Sequence, residues 1–247
     1  MHLALFALAL LPQSSKPDLA SELEKLQSSF RDARKTYFAD LQKKEKDGGK
    51  LDASDFAKNP ANDFLPQFEA LAKRAEGTET ELKALMAAIQ MSFSLKGGDK
   101  HITSAIDGIF ERHLQSAGME PVATMLPDVS WKLGEAPTEQ RLRTLIEKSP
   151  HANVRLAAKA GLASVLERGE PVSEKRAAEA KELLLAVAKE GEGTPYAERA
   201  KARLFEMENL RIGCVAPEIV AKDQDGAEFK LTSYRGTVVV LDFWGFW

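Results

Sequence analysis

Residues Thr237 to Trp244 read Thr-Val-Val-Val-Leu-Asp-Phe-Trp, a β-branched and aromatic run that is apolar on both alternating faces. That pattern belongs to a central strand covered on both sides, since either face left in water would expose large apolar groups. Its two edges also need hydrogen-bonding neighbours. Nearby, Glu218–Ala221 and Ala227–Leu231 read as short strands joined by Asp223-Gln224-Asp225-Gly226, a turn with Asp-Gly at its tip. Ser233-Tyr234-Arg235-Gly236 breaks the chain again before the long run. The expectation for this end of the chain is a hairpin plus one central strand.

Everything from Pro17 to about Asn209 reads instead as helix. Ser21 with Glu24 has the form of a capping box at the start of a first long helix, which Asp47-Gly48-Gly49 ends. Thr78 with Glu81 repeats that form ahead of Leu82, Leu85, Met86, Ile89 and Phe93, an apolar stripe at spacings of three and four. Lys96 to Asp99 stops that helix, and another is expected from about Ile102 to Ala117. Gly118 to Pro137, with three prolines and Gly134, is expected to be the least helical part and an internal boundary.

Ser149-Pro150 and Thr194-Pro195 each offer an N-cap hydroxyl followed by proline at the first helical position. Helices are expected over His151–Arg168 and Val172–Lys189, closed into an antiparallel hairpin by Gly169-Glu170-Pro171. The two caps lie 45 residues apart, within the range of helical-hairpin repeats. Two units make a fragment rather than an array, and the region resembles a piece of a tetratricopeptide-like solenoid. Such solenoids bind partners, so a protein partner for this region is one expectation, the other being that its apolar stripes are simple core. Faces such as Glu22, Glu24, Lys25 and Lys181, Glu182 read as solvated helix surface, and no catalytic constellation stands out.

Charge and cysteine content narrow the remaining options. A net charge of -3, from 34 basic and 37 acidic residues, argues against nucleic acid as a partner. One cysteine, Cys214, excludes an intrachain disulfide or a multi-cysteine metal site. His2, His101, His113 and His151 are scattered without ligand spacing and read as surface or half-buried residues. Leu3 to Leu11 is unbroken apolar sequence followed by Pro12-Gln13-Ser14-Ser15, so residues 1–16 read as a signal peptide, although no Lys or Arg precedes the apolar run. A short core helix is the other reading. Export to the periplasm or cell envelope follows from the first.

The last stretch carries a resemblance. Ile212-Gly213-x-x-Ala216-Pro217, Asp225-Gly226, Leu231-Thr232-x-Tyr234-Arg235-Gly236 and Val238 to Trp247 resemble, in order and spacing, the opening of a redoxin domain. This thioredoxin-like superfamily includes envelope thiol-disulfide oxidoreductases and peroxiredoxins of the alkyl hydroperoxide reductase/thiol-specific antioxidant type. Phe243-Trp244-x-x-Trp247 is closer to the oxidoreductase pattern Phe-Trp-Ala-x-Trp-Cys-Gly-Pro-Cys than to the peroxidase one. The resemblance covers residues 210–247 and does not extend to 18–209.

Caps and periodicity at 17–209 and the likeness at 210–247 together give a fold that is mostly α: a helical-hairpin region read from the pattern, then the truncated thioredoxin-like α/β domain that the likeness implies. In the family the strand matching Val238–Phe243 leads to a helix whose N-terminus lowers the pKa of the first cysteine. Its thiolate attacks a substrate disulfide, and a second cysteine resolves the mixed disulfide. A disulfide-containing protein or a peroxide is then the implied substrate, with a thiol reductant and no cofactor. Asp242 matches the acid that assists proton transfer to the resolving cysteine, burial raising its pKa. A structural hydrogen-bonding Asp near a strand end is its other reading. Trp244 and Trp247 match the active-site rim, or are plain core aromatics; Cys214 falls where the pattern has no redox residue and reads as a spare thiol. The redox pair itself is absent from the sequence. The expectation is a reading frame stopped at a UGA codon meant for selenocysteine directly after Trp247, with a nonsense mutation, frameshift or sequence break as alternatives. A helical interaction module with a vestigial redoxin tail, and a peroxiredoxin-type peroxidase, are the competing functional readings.

Overall fold

The computed structural model describes residues 18–168 and 172–245. The expected leader at 1–16, the Gly169-Glu170-Pro171 connection and Trp247 lie outside the described residues. The protein is mostly helical with a small antiparallel two-stranded sheet, and it divides into two compact units at Gly161/Leu162.

The first unit holds α1 (Leu19–Lys46), α2 (Ala53–Ala57), α3 (Ala61–Arg74), α4 (Glu79–Ser92), α5 (Asp99–His113), α6 (Met119–Leu133), α7 (Glu135–Lys148) and the part of α8 (Ala152–Leu166) before Leu162. From α3 to α7 each helix packs on the next, and α1 lies against α3 and α4. Their inward faces repeat at three and four residues: Leu82, Leu85 and Ile89 on α4, Ile102, Ile106 and Ile109 on α5, Met119, Val122 and Leu126 on α6, all buried. Arg74 grips Glu22 with two bonds of 2.6 Å, fastening the end of α3 to the start of α1. Lys44 reaches Asp52 and Asp55, fastening the other end of α1 to α2.

Helix starts differ from expectation at several points, each for a local reason. Asp18 caps α1, its Oδ1 accepting from the Ala20 and Ser21 amides at 3.2 and 3.3 Å, so Ser21 sits inside the helix. Asp99, three residues ahead of the expected Ile102, begins α5. The expected break at Gly118–Pro137 is a correction: α6 runs through it. Pro121 and Pro137 lie in the first turns of α6 and α7, where a missing N–H removes no intrahelical bond. Chain reversal is confined to Gly134, whose φ of 89° lies where a side chain would be strained. Ser149 Oγ accepts from the His151 amide at 3.3 Å, but Pro150 precedes the helix, and the His151 carbonyl takes the first helical bond of α8. Thr78 and Thr194 cap α4 and α10 as expected. Gly161 permits a close approach of α8 to α6 and α7: a Cβ there would meet Pro127 Cγ at 3.1 Å and the Ala123 carbonyl at 3.2 Å.

The strongest polar joint of this unit is Glu81. Its Oε1 accepts from Arg112 Nε at 2.8 Å and Nη2 at 2.6 Å; its Oε2 accepts from the Gly77 amide at 2.6 Å and His113 Nε2 at 2.9 Å. The carboxylate is thereby saturated and only 2% exposed. Glu81 reaches back to Gly77 rather than closing the expected box on Thr78 itself. His113, 5% exposed, corrects the surface or half-buried expectation. Burial alone would push the Glu81 carboxyl up; Arg112, the Gly77 amide and His113 more than reverse this and hold it below its ordinary value.

The second unit contains the end of α8, then α9 (Glu174–Glu190) and α10 (Pro195–Asn209) packed together through Ala180, Leu184, Val187, Ala197, Ala200 and Leu204. Arg176 of α9 donates to the Leu166 and Val165 carbonyls at 3.2 and 3.0 Å, closing the C-terminus of α8. Arg203 of α10 pairs with Glu167 at 3.1 Å, and Lys181 of α9 with Glu208 at 2.9 Å.

Glu81→Ala removes the partner of the buried His113 and of Arg112 and should cost about 3 kcal/mol in urea unfolding at pH 7. Because the folded carboxyl is held below its unfolded value of roughly 4, its contribution is full above that pH and fades as pH falls through the folded value. The deficit of the variant relative to the parent should therefore shrink between pH 7 and pH 3. A deficit that is unchanged at pH 3 would mean the ion pairs are not its source.

Candidate functional site

Residues 210–245 follow α10 and carry the motifs that nominate a redox segment. The chain leaves α10 in a turn in which the Cys214 amide donates to the Arg211 carbonyl at 2.9 Å. The Cys214 thiol is exposed, its Sγ donating to the Glu208 carbonyl at 3.5 Å.

Beyond it, β1 (Val220–Lys222) pairs antiparallel with β2 (Glu228–Lys230) in the register Val220↔Lys230, Ala221↔Phe229, Lys222↔Glu228. Both strands start within two residues of their expected positions. Asp223 organises the turn: its Oδ1 accepts from the Asp225 and Ala227 amides at 3.0 and 2.9 Å. Phe229 packs edge-on to Tyr234, ring centroids 6.4 Å apart, within the short 3-10 helix Leu231–Tyr234 that follows.

Glu218 ties the two arms together. Its carboxylate accepts from the Thr232 amide at 3.0 Å, the Thr232 hydroxyl and the Ile219 amide at 3.2 Å, and the Leu231 amide donates to the Ile219 carbonyl at 2.9 Å. Chiefly through the Thr232 hydroxyl and amide, the Glu218 carboxyl is held below its ordinary value. The Leu231-Thr232 motif thus has a mechanical role: it supplies the donors that a carboxylate 14 residues upstream grips.

The expected central strand is a correction. Residues 237–245 form no ladder among the described residues. Val238, Val240, Phe243 and Trp244 are 96%, 88%, 84% and 73% exposed. A central strand needs a neighbour along each edge, and the hairpin pairs only with itself. Asp242 and Trp244 are both exposed on this run, while Trp247 falls outside the described residues. Cys214, Asp242 and Trp244 therefore do not converge on one buried catalytic centre here.

Among the described residues, no group of three or more His, Cys, Asp or Glu is placed to hold a metal ion, and no helix is long and apolar enough to cross a membrane. Among the described residues, Lys44 with Asp52 and Asp55 forms a convergent set of titratable groups at the surface, and Glu81, Arg112 and His113 form one that is buried. Sequence reading missed this set because Glu81 and His113 lie 32 residues apart and the Thr78 capping pattern already explains Glu81. With every acceptor position on Glu81 occupied, this cluster holds helices together rather than presenting a reactive group.

A 38-residue segment of the chain is 47% identical to the thiol-disulfide oxidoreductase ResA of Geobacillus thermodenitrificans (strain NG80-2), covering 15% of this chain and 22% of that protein. The chain thus spans about a fifth of the relative's length. Neither a family model nor a solved structure matches the chain. The match supports a thioredoxin-like redoxin segment and reaches no further.

The Glu218 clamp makes the hairpin pH-sensitive. A carboxyl with a depressed folded pKa contributes fully above roughly pH 4 and stops contributing as pH falls through its folded value. Exchange protection of the Thr232 amide should accordingly be measurable at pH 6 relative to an unstructured reference and be lost by acidification. Glu218→Gln should lose much of that protection at pH 6. Equal protection in the variant and the parent would show that the clamp does not hold the arms.

Proposed function

We propose that residues 210–247 are the opening of a thioredoxin-like thiol-disulfide oxidoreductase domain whose redox pair follows Trp247, behind a helical region that serves as a partner-binding module. The short identity to a thiol-disulfide oxidoreductase carries this reading; its length equals that of 210–247, where the redoxin-like motifs stand. The described geometry adds support, because a preformed hairpin followed by an apolar run without ladder partners is what the front of an unfinished sheet looks like.

In the completed domain, the strand 238–243 would lead to a helix N-terminus where peptide N–H groups stabilise an anionic sulfur or selenium. That nucleophile attacks a substrate disulfide, forming a mixed bond and releasing one substrate thiolate. The second cysteine attacks the mixed bond, releasing the other thiolate, and an external dithiol (or two thiols) returns the pair to its reduced form, itself becoming the disulfide. Asp242 would move the proton of the resolving cysteine, and Trp244 and Trp247 would wall the site against water. Selenocysteine in the first position suits the chemistry, a selenol being more acidic and more nucleophilic than a thiol. Export through a leader at 1–16 would deliver the domain to a compartment where disulfides persist.

A second reading has one observation in its favour. The exposed, unladdered run 238–245 is also what a vestigial tail on a helical interaction module would look like, and that reading needs no continuation.

With a single cysteine, the chain ending at Trp247 should reduce insulin disulfides no faster than dithiothreitol alone, before and after Cys214→Ser. Protein carrying the residues encoded after Trp247 should turn insulin over, and Asp242→Asn in it should slow turnover about tenfold or more. Reduction by the short chain that survives Cys214→Ser would overturn the proposal, as would an inert extended protein.

A further inference from the structure

The most telling surface of the first unit is a groove of about 480 Å³ between α1, α3 and α4. On α1, Gln27, Phe30, Arg31, Arg34 and Phe38 fall at helical spacing along one face, and all of them line it. Phe68 of α3, fully buried, forms part of the lining, and Phe93 at the end of α4 lines it while remaining 38% exposed. Phe38 is 47% exposed, with the Arg34 guanidinium 5.4 Å from its ring centroid. Large aromatic side chains left half in water around a concavity mark a surface that gains by being covered.

Its charge is what distinguishes it. Arg74, Arg112, Arg141 and Arg203 each hold a carboxylate. Arg31 and Arg34 hold none among the described residues, and no acidic side chain lines the groove. Three other grooves on the described surface all include carboxylates: Glu69 and Glu76 in one, Asp107 and Glu111 in another, Asp40 and Asp63 in a third. This groove alone among the four combines exposed aromatics with arginines that hold no carboxylate. A guanidinium also bonds carboxylates bidentately, which favours an anionic side chain over a merely polar one.

We propose that the groove between α1, α3 and α4 docks a segment of another polypeptide, one that seats an aromatic or long aliphatic side chain against Phe30, Phe38 and Phe93 and sets flanking carboxylates on Arg31 and Arg34. The free amides of Gln27 and Gln90 on its walls can bond the backbone of such a segment. The proposal stands on residues of the first unit and does not depend on the redox reading.

Fluorescence anisotropy with the whole chain tests it, using as probe a fluorescein-labelled peptide Asp-Glu-Phe-Asp-Glu-Leu-Phe-Asp-Glu. Binding should weaken with salt and should fall about tenfold or more when Lys replaces the acids or Ala replaces the Phe and Leu residues. Arg31→Glu with Arg34→Glu should weaken it by a similar factor, as should Phe38→Ala with Phe93→Ala. Both arginines are exposed and both rings are only half covered, so the far-ultraviolet circular dichroism should be unchanged and the thermal midpoint of the Phe variants should fall only modestly. Absence of binding at roughly 1 mM peptide overturns the proposal. So does binding that survives both pairs of substitutions, which would belong to the apolar 238–244 run. A dimer that Phe38→Ala with Phe93→Ala abolishes would give the groove to a second copy of the chain and overturn it too.

Discussion

An α-helix satisfies its own backbone, whereas a strand must find neighbours for every N–H and C=O that it turns outward. That constraint divides this protein in character at about Leu210. From Asp18 onward, successive helices close their hydrogen bonds internally and need each other only for burial of apolar faces, which neighbour-on-neighbour packing from α3 to α7 supplies. After α10 the chain switches to extended segments, and only β1 and β2 find one another. The run from Val238 to Trp244 has the composition of an interior strand and the surroundings of a surface tail. A single hairpin is marginal by itself, and this one relies on the Glu218 carboxylate gripping Thr232 across its base.

Ion pairs in the helical region act at the joints. Glu81 joins the start of α4 to the end of α5 through Arg112 and His113, Arg74 joins α3 to α1, and Lys44 joins α1 to α2. Most exposed pairs of this kind contribute little to stability. The Glu81 joint differs because its carboxylate is buried and every acceptor position on it is used. Arg31 and Arg34 hold no carboxylate among the described residues and face an aromatic groove with no acid of its own.

Much of the helical architecture can be read from caps and periodicity. Thr78 and Thr194 cap helices where their hydroxyls precede an apolar stripe, and Asp47-Gly48-Gly49 ends α1 as its turn chemistry requires. Prolines mislead between Gly118 and Pro137, because Pro121 and Pro137 sit in first turns that can spare an N–H, Pro127 is carried inside α6, and only Gly134 reverses the chain. The Glu81 cluster has no local signature, since its members meet through packing of α4 on α5. The β-hairpin is legible from Asp223 to Gly226, but the central strand is not realised, since pairing of Val238–Trp244 depends on partners that sequence periodicity cannot supply. Asp242 and Trp244 can be placed on the redoxin pattern by motif alone; here they stand exposed, and the geometry gives them no common centre.

The redox account turns on what lies next to Trp247 in the coding sequence. Sequencing the DNA immediately beyond that codon tests it most directly. The account predicts UGA followed in frame by codons for Gly-Pro-Cys and then by enough sequence for the helices and strands of a thioredoxin-like sheet, giving the Val238–Trp244 run its neighbours. Any other stop with no such continuation would contradict it and leave a helical interaction protein with a redoxin remnant.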